Sequence, residues 1–384
     1  MTRSVLDISE YYGDTSGGVR TYLSEKAAYA AARHDIRQAI AVPGGADSVE
    51  ERNGVRWYSI ASPRIPGQDP YRLVVNGRRV REIIRAEQPD VIEVGSAYTV
   101  PWLVRRVARP SGIPVVWFFH GHIPRIIAPR LEAEPRPRRW LAAAAARYVA
   151  AIGRGMARTI VASDFARNDL ERFGVERVTR IPLGVDADTF TPARRERRME
   201  TRGRWGVEDQ PLAIYTGRLT SEKQLGIAVD GWRRLRHADA VLMLIGAGPL
   251  AASLADGARG ARIRIVPFVH DRDALADLYA AADFYLAPGP AETFGLSAHE
   301  ALASGTPVLS VAAGAVAEQV ERSGAGALYP LGNAAGLAHA ADQLLESDLT
   351  ALGGRGRSFI IAHHLWPDVF RRIFALYDEV LAAA

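Results

Sequence analysis

Short runs rich in valine and isoleucine alternate with longer stretches of helical period along this chain, and the alternation occurs twice. That pattern is the sequence form of strand-helix-strand units in parallel sheets, so it predicts an α/β chain with two doubly wound, Rossmann-like sheets. The first series places strands near Ser4 to Ser9, Gln38 to Val42, Val55 to Ile60, Asp90 to Val94, Val115 to Phe119, Thr159 to Ala162 and Val178 to Ile181. Helices are expected over Gly18 to Arg33, Pro70 to Glu87 and Arg136 to Met156. The second series places strands near Leu212 to Thr216, Val241 to Ile245, Ile263 to Val266, Phe284 to Ala287, Pro307 to Ser310 and Gly326 to Tyr329. Between them, Pro182 to Arg204 reads as an Arg-rich linker with a short helix. The expected domains are therefore 1–190 and 191–363, followed by an amphipathic helix over 364–384 that fits either domain. Ligands of such sheets bind at the carboxyl ends of strands, and a cleft between two of them is the expected site.

Composition narrows the chemistry. The 384 residues contain no cysteine, which excludes a disulfide scaffold, a thiol nucleophile, thiolate zinc sites and cysteine-held iron-sulfur clusters. No stretch reaches the roughly 18 apolar residues of a membrane span, and Met1 runs through Thr2 and Arg3 into a strand-like segment rather than a secretory leader. A cytoplasmic protein is expected, at most peripheral on the inner membrane face. Residues 1–190 carry 28 Lys+Arg against 21 Asp+Glu, a net +7, and the remainder 20 against 22, a net −2, which sum to the +5 of the whole chain. Eleven arginines and two acids, Glu132 and Glu134, lie between residues 101 and 158, a concentration that attracts phosphate or anionic lipid.

Several segments could carry chemistry. Gly17 and Gly18 open a helix after the first strand, where free amides and the helix dipole favour an anion; a purely structural helix start fits the pair equally, and neither dinucleotide nor Walker spacing is present. Arg218 and Lys223 follow the strand Leu212 to Thr216 and could grip a diphosphate, although a solvated helix start has about even standing. Gly246-Ala247-Gly248-Pro249 repeats an anion-friendly turn, with Pro249 expected at a first helical position. The sharpest cluster runs from Pro288 to Pro307: Glu292 in a strand-to-helix loop, Glu300 roughly two turns later, and the amides of Phe294, Gly295 and Leu296 at a positive helix end. Carboxylates accept paired hydrogen bonds from vicinal hydroxyls, which suits sugars and ribose, and two helix-surface acids are the plainer reading. His120 ends a very apolar strand. With His122 it forms an H-x-H pair, but a third metal ligand is not apparent. Asp186 with Asp188, and Asp271 with Asp273, form D-x-D triplets that read better as linker and helix-start acids.

Together these segments, in this order and spacing, resemble glycosyltransferase family 4, retaining nucleotide-sugar transferases of GT-B fold. The resemblance spans the chain: the Gly17-Gly18 loop, His120, Gly184-Val185-Asp186 to Phe190, Gly217-Arg218 to Glu222-Lys223, Gly246 to Pro249, and E-x7-E as Glu292 and Glu300. It implies acceptor binding on the first domain, nucleotide-sugar binding on the second, and a last helix crossing back to the first. Carried over, Arg218 and Lys223 neutralise the departing diphosphate, and Glu300 holds the ribose. Glu292, Thr293, Phe294, Gly295 and Leu296 hold the donor, Gly17 and Gly18 approach the diphosphate, and His120 meets the sugar near its anomeric centre. His120, Arg218, Lys223 and Glu292 are thus the expected catalytic set, and Val269 is expected to contact the base. The resemblance further implies hexosyl transfer with no cofactor and no essential metal.

The acceptor is left open. On a helical wheel, Arg136, Arg147, Arg154 and Arg158 fall on one face, opposite Leu141, Tyr148, Val149, Ile152 and Met156. A domain helix with a solvated side fits this, as does contact with anionic lipid. The stretch from His120 through Arg130 is also similar to members that glycosylate diacylglycerol, such as sulfolipid synthases. His122, Arg125, Arg130, Arg136 and Arg147 are accordingly the candidate acceptor or membrane contacts. The leading expectation is transfer to a lipid or lipid-linked hydroxyl. The same chemistry on a soluble or polysaccharide acceptor, and a GT-B nucleotide-sugar epimerase, are the alternatives. Nucleic acid is disfavoured, because no recognition helix or stacking motif accompanies the arginines.

Overall fold

A computed structural model describes residues 2–13, 17–66, 70–129 and 135–383. The chain forms two compact units, one of residues 1–182 with 366–384 and the other of 183–365.

Among the described residues the first unit is built on an eight-stranded sheet. Its strands are β1 (Arg3–Ile8), β2 (Ile36–Gly44), β3 (Ser48–Arg52), β4 (Val55–Ala61), β5 (Val91–Val94), β6 (Val115–Phe118), β7 (Arg158–Val161) and β8 (Val178–Arg180). Their spatial order is β3-β4-β2-β1-β5-β6-β7-β8, parallel throughout except for the β3–β4 pair. β1 and β5 are buried along almost their whole length, as central strands covered by helices on both faces must be. β3 departs from the expected series. All five of its residues are exposed, so it lacks the apolar run that marks the other strands, and Asn53-Gly54, both at positive φ, fold it back onto β4 as a hairpin. The helix expected from Pro70 starts only at Gly77, where the Asn76 side chain caps the amide of Arg79 at 3.1 Å. Before it, the chain is extended and Arg72 bridges to Arg64.

At the carboxyl end of β1, the fully buried Glu10 collects the amides of Val74, Thr99 and Val100 and the hydroxyls of Ser96 and Thr99 at 2.6–3.3 Å. It thereby neutralises the free amides that start the helix Val100–Ala108. The helix Gly18–Ala31 buries Tyr22 and Lys26, and the last helix, Trp366–Ala382, belongs to this unit and packs on it. Phe370 and Phe374 lie against Tyr29 at 5.4 and 5.8 Å. Below them, Lys26 Nζ donates to Asp7 at 2.6 Å and to the Tyr377 hydroxyl at 2.7 Å, while Tyr22 and Tyr377 donate to Glu93. Two carboxylates and one ammonium in a dry site leave an excess negative charge, and burial pushes Glu93 up to about 7.

The second unit carries β9 (Leu212–Thr216), β10 (Val241–Ile245), β11 (Ile263–Val266), β12 (Phe284–Ala287), β13 (Val308–Val311) and β14 (Gly326–Tyr329) in the order β11-β10-β9-β12-β13-β14, all parallel. The order reverses between β9 and β12, so ligand-binding loops are expected after those two strands. The unit begins at Leu183, before the expected residue 191, because Val185 and Phe190 are buried in its core and Val185 bridges to Leu365. The Arg-rich passage is not a free linker. Arg194 and Arg197 pair with Asp277, Arg198 and Arg202 with Asp283, and the segment folds as a 3-10 turn, Pro192–Arg197, and a helix, Arg198–Arg204.

Candidate active site

The loops after β9 and β10 are laced together by the amide of Gly217 on the Ile245 carbonyl at 3.0 Å and that of Leu219 on Ala247 at 2.8 Å. A Cβ at Gly246 would lie 1.8 Å from the Gly217 carbonyl oxygen, and one at Gly248 would lie 2.4 Å from that of Leu219. These two glycines therefore allow the loops to touch. Pro249 sits in the turn before the helix Ala251–Gly257 rather than at its first position.

Arg218 and Lys223 both emerge from the β9 loop. The Tyr215 hydroxyl donates to the Arg218 carbonyl at 2.8 Å, and the guanidinium reaches Glu222 Oε1 at 2.7 Å, an oxygen that also accepts from Thr220. Lys223 Nζ pairs with Glu292 Oε1, 69 residues further along. The fold thus brings the Gly-Arg to Glu-Lys segment and the start of E-x7-E to one place, at the carboxyl ends of β9 and β12.

The loop after β12 is held by its glycine geometry. Gly295 has φ 83° and is the cap residue of the helix Leu296–Ala303. The Glu292 carbonyl accepts from the Ala315 amide at 3.0 Å. Phe294 is buried and stacks on His299 at 3.9 Å, and the His299 ring is 3.0 Å from the Gly295 carbonyl through Nδ1. Burial pulls His299 down to about 4, so this imidazole is neutral near pH 7. Thr293 is buried too, while Gly295 and Leu296 are half-buried. At the far end of the same helix, Arg357 donates to the Ala303 carbonyl, one of those the helix leaves open, at 2.9 Å, and Arg195 to that of Gly305 just beyond at 2.6 Å. Glu300 lies buried on the second turn, accepting from the Tyr279 hydroxyl at 3.2 Å. Val269, in the loop after β11, is half-buried against the core of this unit.

In the first unit His120 stands two residues beyond β6, stacked on Phe118 at 4.1 Å and facing the Tyr22 ring at 5.3 Å. Burial, helped by the Lys26 ammonium, pulls it down to about 3, so it is a neutral hydrogen-bonding group rather than an acid. Gly17 and Gly18 cap and begin the helix Gly18–Ala31; among the described residues a Cβ at either would meet nothing within 4 Å, and neither is at positive φ. Asp14, Thr15 and Ser16 of that loop lie outside the described residues.

The basic region folds differently from the expectation. His122 is fully buried, its Nδ1 accepting from the Arg125 amide and its Nε2 3.0 Å from Asp169. Arg125 grips the same carboxylate with two nitrogens at 2.5 and 2.8 Å. Both expected surface contacts are thus turned inward, because a buried Asp169 needs charge and donors around it. Arg130 lies outside the described residues. Arg136 and Arg147 are exposed on the helix Arg136–Gly153, whereas Arg154 caps it and Arg158 begins β7. Of the residues expected opposite them, Val149, Ile152 and Met156 are buried, but Leu141 is 60% exposed and Tyr148 37%. Trp140, 80% exposed, shares the face of Arg136 and Arg147 at 100° per residue. The D-x-D acids are engaged: Asp271 caps the helix Arg272–Ala281, Asp273 pairs with Arg194, and Asp186 accepts from the Thr189 amide.

The sequence signal did not single out Glu222, Asp169, Tyr279 or Trp140. Glu222 stood inside a quoted motif and could have been read as the partner of Arg218, four residues before it.

Residues 16–189 match the family model described as Glycosyltransferase Family 4, and residues 210–347 match the one described as Glycosyl transferases group 1. Over 312 residues the chain is 36% identical to the GDP-mannose-dependent alpha-(1-6)-phosphatidylinositol dimannoside mannosyltransferase of Mycobacterium tuberculosis, covering 79% of this chain and 78% of that protein. The chain belongs to glycosyltransferase family 4. Another relative of this glycosyltransferase is a sulfoquinovosyl transferase of Arabidopsis thaliana, 28% identical over 250 residues, 64% of this chain and 47% of that one. Among solved structures, the sucrose-phosphate synthase of Thermosynechococcus elongatus superposes with a TM-score of 0.81 at 20% identity over the full length of both chains. That likeness assigns the two Rossmann-like units to the GT-B fold.

Proposed function

We infer that this family 4 enzyme is a retaining glycosyltransferase. It moves a hexose from a nucleoside-diphosphate donor, with GDP-mannose the first candidate, to a hydroxyl of a lipid-linked acceptor, without a metal. The observation that carries the reading is the meeting of Lys223 with Glu292 beside Arg218. An entering diphosphate exchanges places with the carboxylates of Glu222 and Glu292 on these two cations. Glu292 then turns its oxygens to the sugar hydroxyls, with the Phe294, Gly295 and Leu296 amides beside them. Glu300 holds the ribose, Val269 lies by the base, and charge developing on the leaving diphosphate falls on Arg218 and Lys223.

Gly17 and Gly18 support the same reading from the first unit. Among the described residues no neighbour crowds a Cβ at either position, and a backbone bare of Cβ suits close approach to phosphate. A neutral His120 hydrogen-bonds the sugar near its anomeric carbon. The acceptor oxygen attacks on the face from which the diphosphate leaves, and a leaving phosphate oxygen takes its proton. No carboxylate nucleophile is needed, unlike retaining hydrolases.

For the acceptor, the 36% identical relative is a phosphatidylinositol dimannoside mannosyltransferase, which favours a glycolipid. The exposed Trp140 and Leu141 among Arg136, Arg138, Arg139 and Arg147 fit an anionic bilayer, apolar tips entering beside positive charge. Among the described residues no helix is long and apolar enough to cross a membrane. The site is tested by thermal-shift titration with GDP, UDP and ADP and their sugar conjugates in the presence of EDTA. One nucleotide is expected to raise the melting temperature, and Arg218→Ala is expected to abolish the shift. Absence of any shift contradicts the donor site.

A further inference from the structure

Glu300 is not alone in its pocket. Its Oε2 accepts from the Tyr279 hydroxyl at 3.2 Å, and that hydroxyl also meets Thr216 Oγ1. The direction of this chain follows from its chemistry. The single phenolic proton goes to Glu300, which leaves the Tyr279 oxygen to accept from the Thr216 hydroxyl.

Every part of the chain is anchored. Tyr279 is fully buried on the helix Arg272–Ala281, its ring edge-on to Phe190 at 5.5 Å and 5.8 Å from Tyr285. Its carbonyl accepts from Thr306 Oγ1 at 2.7 Å. Thr216 ends β9, and its own carbonyl accepts from the Tyr285 hydroxyl at 3.1 Å. Glu300 is thereby oriented from the strand whose following loop carries Arg218 and Lys223. A hydrogen bond to one carboxylate oxygen restricts rotation about the terminal bond and so sets the angle at which the group meets a ligand hydroxyl.

We propose that Tyr279, directed by Thr216, is a positioning residue that fixes Glu300 and so makes the site read the 2′ and 3′ hydroxyls of a nucleoside diphosphate. The inference rests on the assignment of Glu300 to the ribose. Tyr279→Phe removes one oxygen and leaves the ring packing in place, which makes it a clean probe. Thr216→Val removes one donor to Tyr279, beside Ser297, and leaves the phenol in place.

Isothermal titration of GDP and 2′,3′-dideoxy-GDP tests it, with UDP and its dideoxy analogue if the wild type takes uridine instead. The wild type prefers the ribonucleotide, and Glu300→Ala erases that preference. Tyr279→Phe lowers it by roughly tenfold, the size of one charge-assisted hydrogen bond, with dideoxynucleotide affinity unchanged. Thr216→Val lowers it less, in the same direction, and carries the test if the phenylalanine variant does not fold. Unchanged preference in both variants overturns the proposal, as does equal weakening of both nucleotides, which marks a merely structural role. A Glu300→Ala protein that keeps the wild-type preference instead overturns the ribose assignment itself.

Discussion

A Cβ added to Gly295 would lie 2.2 Å from Cγ2 of Val316, and the residue's φ of 83° is one that side chains other than glycine adopt only at cost. Gly295→Ala is therefore expected to lose about 1–2 kcal/mol from the backbone alone, with more from the clash. A lowered melting temperature together with a raised donor KM checks it, because the same residue aims the amides of the proposed sugar site. Lys223→Ala is expected to weaken nucleoside-diphosphate binding while sparing the fold, since its ion pair with Glu292 is partly exposed; titration calorimetry measures the loss. At this scale the sequence was informative where chemistry follows strand ends. Arg218, Lys223, Glu292 and Glu300 stand in strand-to-helix turns or on the helices after them, and the fold gathers the first three in one place. It was silent about partners chosen by folding: nothing in the local pattern around His122 announces Asp169, 47 residues on, and nothing around Glu300 announces Tyr279.

Among the elements, the helix Gly18–Ala31 is joined to β1, β5 and the last helix by the buried set of Asp7, Lys26, Glu93, Tyr22 and Tyr377. Folded Glu93 keeps its proton up to about pH 7, whereas the unfolded chain releases it near 4.5. Between those values the folded state binds more protons, so stability falls as pH rises through that window. Glu93→Gln removes the titration, and its melting temperature is expected to vary less than that of the wild type between pH 5 and pH 8. A parallel change in both proteins contradicts this account. The helix Arg136–Gly153 carries a separate expectation: Trp140→Ala reduces binding to anionic vesicles in sedimentation while leaving the melting temperature unchanged, as its side chain is exposed. Strands buried at every position, such as β9, β10 and β12, kept their expected bounds, because burial on both sides writes a continuous run of aliphatic and aromatic residues. β3 did not show itself, since edge strands are stabilised by pairing and turn geometry, and the Asn53-Gly54 turn was its one local mark. The amphipathic wheel does not extend to Arg158, which β7 claims, and Ala142 is the one buried residue of the first two turns of the Arg136 helix.

At the scale of the molecule, the twofold strand-helix alternation made both sheets legible. The crossover was less so. The chain leaves the first unit after Pro182 and re-enters it at Trp366, and the residues between that point and Phe190 join the second unit through apolar side chains too few to form a periodic signal. The charge imbalance between the halves predicts that vesicle binding falls steeply between low and high salt. The central claim is retaining, metal-free transfer from a nucleoside-diphosphate sugar. Proton NMR of a reaction holding GDP-mannose, EDTA and vesicles of mannosylated phosphatidylinositol tests it most directly. The expected spectrum shows GDP released in step with a new α-mannosyl anomeric proton on the lipid; a β-linked product, a dependence on added metal, or a new GDP-sugar formed with the acceptor untouched contradicts the account.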